Sequence, residues 1–164
     1  MPVIDTEIDR EGLTLTVTAE FIATPERVWQ LWADPRQLER WWGPPGWPAS
    51  FPRYEFEPGG EARYFMTGPQ GERSAAWFRF ETIEAPHRIE LVDGFSGDDG
   101  EPTDAMPSMR MVVEIEPSGG SDGTVTTMSI RTIVDSLEHL EQITSMGMVE
   151  GMTAAMNQID ELVA

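Results

Sequence analysis

"TPERVWQLWADPRQLERWWGPPGW" (residues 24–47) decides how this 164-residue chain is read. Thr24 followed by Pro25 is a helix start: the hydroxyl accepts from a free backbone N–H, and proline at the first helical position loses no hydrogen bond. Val28, Leu31 and Trp32 then share one helix face. Asp34 and Pro35 repeat the signal, with Gln37 at capping-box spacing, and Gly43-Pro44-Pro45-Gly46 keeps the second helix short. Trp41, Trp42 and Trp47 place three of the chain's six tryptophans within seven residues. Indoles crowded at a helix end either plug a core or wall a cavity, because each carries a large apolar ring and one N–H donor.

Outward from this stretch the period changes twice. Before it, "LTLTVTAEF" alternates, with Leu13, Leu15, Val17, Ala19 and Phe21 on one face of a half-buried strand. After it, residues 50–132 read as strands separated by turns at Pro58-Gly59-Gly60, Gly68-Pro69-Gln70-Gly71 and Ala85-Pro86-His87. A polar loop over residues 94–107 leads to "SMRMVVEIEP" and "TVTTMSIRTIV", which flank residues 118–123 as a hairpin, with Met109, Met111, Val113 and Ile115 on one face. From Asp135, with Glu138 at capping-box spacing, apolar residues recur at helical spacing to Val163. Met148, Met152, Met156, Ile159 and Val163 form one stripe. About 27 helical residues would run roughly 40 Å, with Gly147 and Gly151 as places for a kink or a close approach. The predicted class is α+β: one strand, two short helices, then a run of strands completing a curved antiparallel sheet of about six to seven, and a long C-terminal helix on one face. Such a sheet and a single helix leave a gap between them, a natural pocket.

The segments "ATPERVWQLWADPRQLERWWGP", "EFEPGGEARYFM", "GPQGE" and "GMVEGMTAAMNQIDELVA" resemble, in this order, the activator of heat-shock-protein-90 ATPase homologues. That family belongs to the START-like superfamily of helix-grip folds, which includes the birch pollen allergen. The resemblance runs from about Leu13 to Leu162, and the whole chain, 1–164, is read as one such domain. It implies a hydrophobic cavity that takes lipids, sterols, polyketides or other apolar metabolites. Some superfamily members are cyclases or hydrolases. The chaperone role of the eukaryotic namesakes would rest on fold analogy alone.

Charge narrows the partners. Twenty-nine acids face eleven bases, all arginine, for a formal charge of −18, and such a field repels nucleic-acid backbones and anionic membrane surfaces. The absence of cysteine excludes disulfides and thiol nucleophiles. No basic-then-apolar leader opens the sequence and no apolar run approaches a membrane span, so a cytoplasmic protein is expected. His87 and His139 have no visible partner, "GDDGEPTD" lacks the spacing of a calcium loop, and no phosphate or dinucleotide fingerprint occurs; no metal, cofactor or catalytic residue is assigned.

The candidate cavity set is Trp32, Trp41, Trp42, Phe65, Phe78, Phe80, Met109, Met111, Met128, Ile130, Met148, Met152 and Met156. Met106 and Met146 belong to the same methionine-rich last third. Methionine is flexible and polarizable, which suits a wall facing varied shapes as well as ordinary core. Trp41 and Trp42 point about 100° apart, so one faces the cavity and the other packs; which is which stays open. Phe78 and Phe80 are favoured inside over Trp77. The expected function is non-enzymatic binding of a small hydrophobic or aromatic ligand. The alternatives are a cyclase- or hydrolase-type enzyme and a chaperone-accessory module. Homodimers are common in the superfamily, but no exposed apolar stripe here demands one.

Overall fold

The computed structural model describes residues 2–104, 107–120 and 124–164. Eight strands form one antiparallel sheet in the order β1-β2-β8-β7-β6-β5-β4-β3. They are β1 (Val3–Asp9), β2 (Thr14–Ile22), β3 (Ala49–Tyr54), β4 (Glu61–Thr67), β5 (Arg73–Glu84), β6 (Arg88–Phe95), β7 (Met109–Gly119) and β8 (Val125–Ile133). Helices α1 (Pro25–Ala33) and α2 (Pro35–Trp41) carry the chain from β2, near one edge, to β3 at the other. The last elements are α3 (Leu137–Ser145), α4 (Met148–Asn157) and α5 (Ile159–Val163).

The two helix starts form as the residues dictate. Thr24 Oγ1 accepts from the Arg27 amide, and Asp34 Oδ1 accepts from that of Arg36. Gln37 meets Asp34 through its side chain, 3.1 Å from Oδ2, and so steadies the cap without closing a backbone box. Those cap bonds hold the Asp34 carboxyl below its ordinary range, the bond from Gln37 foremost. After α2 the chain folds over itself. Gly46 takes φ +87° in a Pro44–Trp47 turn closed by the Trp47 amide on the Pro44 carbonyl, the geometry that wants proline second and glycine third. A Cβ on Gly43 would stand 1.8 Å from the Trp47 carbonyl oxygen, so only glycine allows that closure.

The sheet's inner face supplies the core. Val17, Ala19 and Phe21 of β2, Phe78 and Phe80 of β5, Ile89 and Leu91 of β6, Met111, Val113 and Ile115 of β7, and Met128 and Ile130 of β8 are buried against helices α1, α2, α4 and α5. A smaller cluster of Leu15, Met109, Val134, Leu140 and Ile143 packs beneath α3. Register shifts interrupt the β3–β4 and β5–β6 ladders, and such irregularities add local twist and bend.

Three expectations are corrected. A strand, β1, precedes the alternating segment. Its exposed sequence, VIDTEID, carries no inside–outside rhythm, and it is held by pairing with β2. The C-terminal helix is three pieces: Gly147 at φ +86° separates α3 from α4, and Gln158 separates α4 from α5. Its cap is Ser136, whose Oγ accepts from the His139 amide, one residue after the expected Asp135. Residues 121–123 of the expected hairpin turn, and Met106, lie outside the described residues.

Candidate functional site

The break at Gly147 opens the interface between sheet and helices. A cleft of about 290 Å³ lies there, lined on the helix side by Ile143, Met146, Gly147, Met148, Gly151 and Met152. The sheet side is Tyr64 and Met66 of β4, Asp93 and Phe95 of β6, and Met109 and Met111 of β7, with Trp42 and Pro44 at the end of α2. Trp42, Tyr64 and Met111 belong to the large core cluster, Met109 and Ile143 to the small one, and Met148 packs against both. The void thus sits on the seam where the two cores meet. Elsewhere the same interface is closed: Trp32, Trp41, Phe78, Phe80, Met128 and Met156 are all essentially solvent-free.

The double tryptophan divides between these environments. Trp41 is fully buried and donates Nε1–H to the Leu31 carbonyl at 3.0 Å. Trp32, edge-on to it, donates to the Met128 sulfur at 3.3 Å. Trp42 also packs edge-on, against Trp32, Trp41 and Phe78, yet its indole lines the cleft, and its buried Nε1 completes no hydrogen bond with the described residues.

One acid breaks the apolar wall. Asp93 is 7% exposed, and its Oδ1 accepts from the Tyr64 hydroxyl at 2.9 Å. Burial pushes the Asp93 carboxyl up to about 7, with the Tyr64 hydrogen bond as the opposing influence. Burial, and then the nearby Asp93 charge, raise the Tyr64 phenol well above its ordinary value; the Trp42 N–H beside it pulls the other way without adequate bonding geometry. Tyr64 therefore stays a neutral donor, and Asp93 is the group in the cleft that changes charge near neutrality. No group of three or more His, Cys, Asp or Glu suited to a metal ion occurs among the described residues.

The family described as "Activator of Hsp90 ATPase homolog 1-like protein" matches residues 22–164. The chain belongs to that family. A solution structure of a protein from Arthrobacter aurescens is 44% identical with a TM-score of 0.91, covering 98% of this chain and 91% of that one. A crystal structure from Mycobacterium smegmatis is 41% identical with a TM-score of 0.88, covering 99% and 98%. A protein from Staphylococcus epidermidis, at 24% identity and TM-score 0.81 over 95% and 92%, shares the fold. No curated protein matches the chain. Membership of the Activator of Hsp90 ATPase homolog 1-like family supports a ligand-binding or accessory domain in general terms. No helix among the described residues is long and apolar enough to cross a membrane.

Within this family member, the residues singled out from sequence fall into three places. Trp42, Met109, Met111, Met148 and Met152 line the cleft. Trp32, Trp41, Phe78, Phe80, Met128, Ile130 and Met156 form the closed core beside it. Phe65 lies on the outer face of β4 beneath the Arg73 guanidinium, 4.2 Å from its ring centre. Residues opposite each other in an antiparallel ladder share a face. Ala62 pairs with the inward Phe78 and Tyr64 with Ala76, which turns Tyr64 in and Phe65 out. Trp77 likewise faces outward, lying over Gly94, where a Cβ would meet the indole at 2.4 Å. Sequence reasoning missed Tyr64 and Asp93. The available signal was the rhythm Ile89, Leu91, Asp93, which sets an acid on an apolar face of β6.

Proposed function

We infer that the chain binds a small apolar or aromatic metabolite in the cleft between the sheet and the α3–α4 break. The observation that carries this reading is the void itself: at the core seam, flexible methionines and an indole face open space where the neighbouring interface is closed. Its volume lies near the lower end for small-molecule sites, fitting a guest of one or two rings. The driving force is transfer of apolar ligand surface from water, about 25 cal/mol per Å² before ordering costs. The test is intrinsic tryptophan fluorescence and melting temperature across a panel of single-ring and two-ring aromatics, fatty acids and sterols. Small aromatics that perturb Trp42 emission and raise the melting temperature support the reading; a panel that does neither removes it.

Asp93 favours a second reading, an enzyme of the cyclase or hydrolase type. A carboxyl titrating near 7 inside a cleft suits general acid–base work. That reading requires turnover of a bound substrate that disappears in Asp93→Asn while binding persists.

A further inference from the structure

Resting on the binding reading above, we propose that the cleft selects guests bearing a cationic amine, with Asp93 as counter-ion and the rings of Trp42, Tyr64 and Phe95 as the surround. Asp93 is a buried acid without a protein cation beside it among the described residues. Among the described residues, nine contacts tie arginines to carboxylates, and none involves Asp93. Tyr64 donates to Oδ1, and among the described residues none donates to Oδ2 of this cleft-lining acid. A buried carboxylate must find a cation or take up a proton. Among the described residues no arginine or histidine pairs with Asp93, so the balancing positive charge is either a bound proton or a cationic guest.

The surroundings agree. Asp93 lies opposite Phe78 of β5 and Met109 of β7 in the ladders. Arg79 and Arg110, the adjacent residues on those strands, are exposed on the outer face. From β4 the facing group is Tyr64; from α3 and α4 the cleft receives Ile143, Met148 and Met152, with Glu150 exposed outside. Among the described residues lining the cleft, Tyr64 is the other titratable group. Aromatic faces attract cations through their quadrupoles, most strongly when water is excluded. At −18, the chain as a whole also attracts cations and repels carboxylates.

The experiment uses three probes of similar shape on the intact chain: benzyltrimethylammonium, its uncharged carbon isostere neopentylbenzene, and phenylacetate. Affinity is measured by calorimetry from about pH 5.5 to about pH 8.5, in wild type and Asp93→Asn; the quaternary ammonium does not titrate, so any pH dependence belongs to the protein. With the Asp93 carboxyl near 7, the cation binds about 30-fold more tightly at the alkaline end. Asp93→Asn flattens that profile, and Tyr64→Phe, which removes the bond favouring the carboxylate, moves it to higher pH. If the uncharged isostere or phenylacetate binds as tightly as the cation, or if the cation's affinity ignores pH, the amine proposal falls and the binding reading stands. If none of the three binds, the amine proposal falls, and the wider panel of aromatics, fatty acids and sterols decides the binding reading.

Discussion

Trp41 and Trp42 are neighbours in sequence and opposites in circumstance. The first sits in a closed core with its N–H bonded to a backbone carbonyl; the second borders open space with its N–H unanswered. The same contrast runs along the helix above. Met156 of α4 is sealed against the sheet, while Met152, one turn earlier, is half-buried at the cleft. Residue type does not separate the two regions, since both are built from indoles, methionines and phenylalanines. What separates them is the helix break at Gly147, which lifts the wall, and Asp93, which puts an acid where the closed region has hydrocarbon. A core is where such side chains meet one another; a site is where the backbone keeps them apart.

Substitutions sharpen this contrast in descending order of effect. Trp41→Ala, which empties a fully buried site and orphans a carbonyl, costs about 3–5 kcal/mol of unfolding free energy in denaturant titrations. Next comes Asp93. Its folded value is raised, so between about 4 and 7 the native state holds a proton that the unfolded chain has released. Stability from this group is therefore full below the unfolded value and is lost as pH rises through the folded one, by up to about 4 kcal/mol. Asp93→Asn removes that loss, so its stability advantage over wild type should grow from pH 4 to pH 8; an advantage that shrank would reverse the assignment. Met156→Ala should cost about 2–5 kcal/mol and Met152→Ala under about 1 kcal/mol, and equal costs would erase the distinction between core and cleft. Gly147→Ala lies at the small end with Met152→Ala, at about 1 kcal/mol from forcing a side chain into left-handed backbone.

Much of this molecule is legible in its sequence because local signals agree with the fold. The two Pro-led caps and the alternation of β2 each state their element outright, while the helical period after residue 135 states helix but not its division at Gly147 and Gln158. β1 was silent for a physical reason: an exposed edge strand needs no apolar face, and its stability comes from a ladder formed with β2. The candidate site was legible on the helix side, where a stripe of methionines and a glycine share one segment. On the sheet side it depended on register. Nothing in "EARYFMT" says which of Tyr64 and Phe65 turns inward until β4 is set against β5, Ala62 beside Phe78. Asp93 was concealed among twenty-nine acids, and only its pairing with Met109 and Phe78 marks it as the one inside the cleft.

The methionines themselves provide the most direct test. With their methyl groups labelled with carbon-13, Met109, Met111, Met148 and Met152 report on the cleft, while Met128 and Met156 report on the closed core. On titration with a small aromatic guest, the first four resonances should shift saturably while the other two keep their positions. Shifts spread evenly over all six, or no shift at saturating guest, would contradict the claim that the seam between sheet and helix is a binding site.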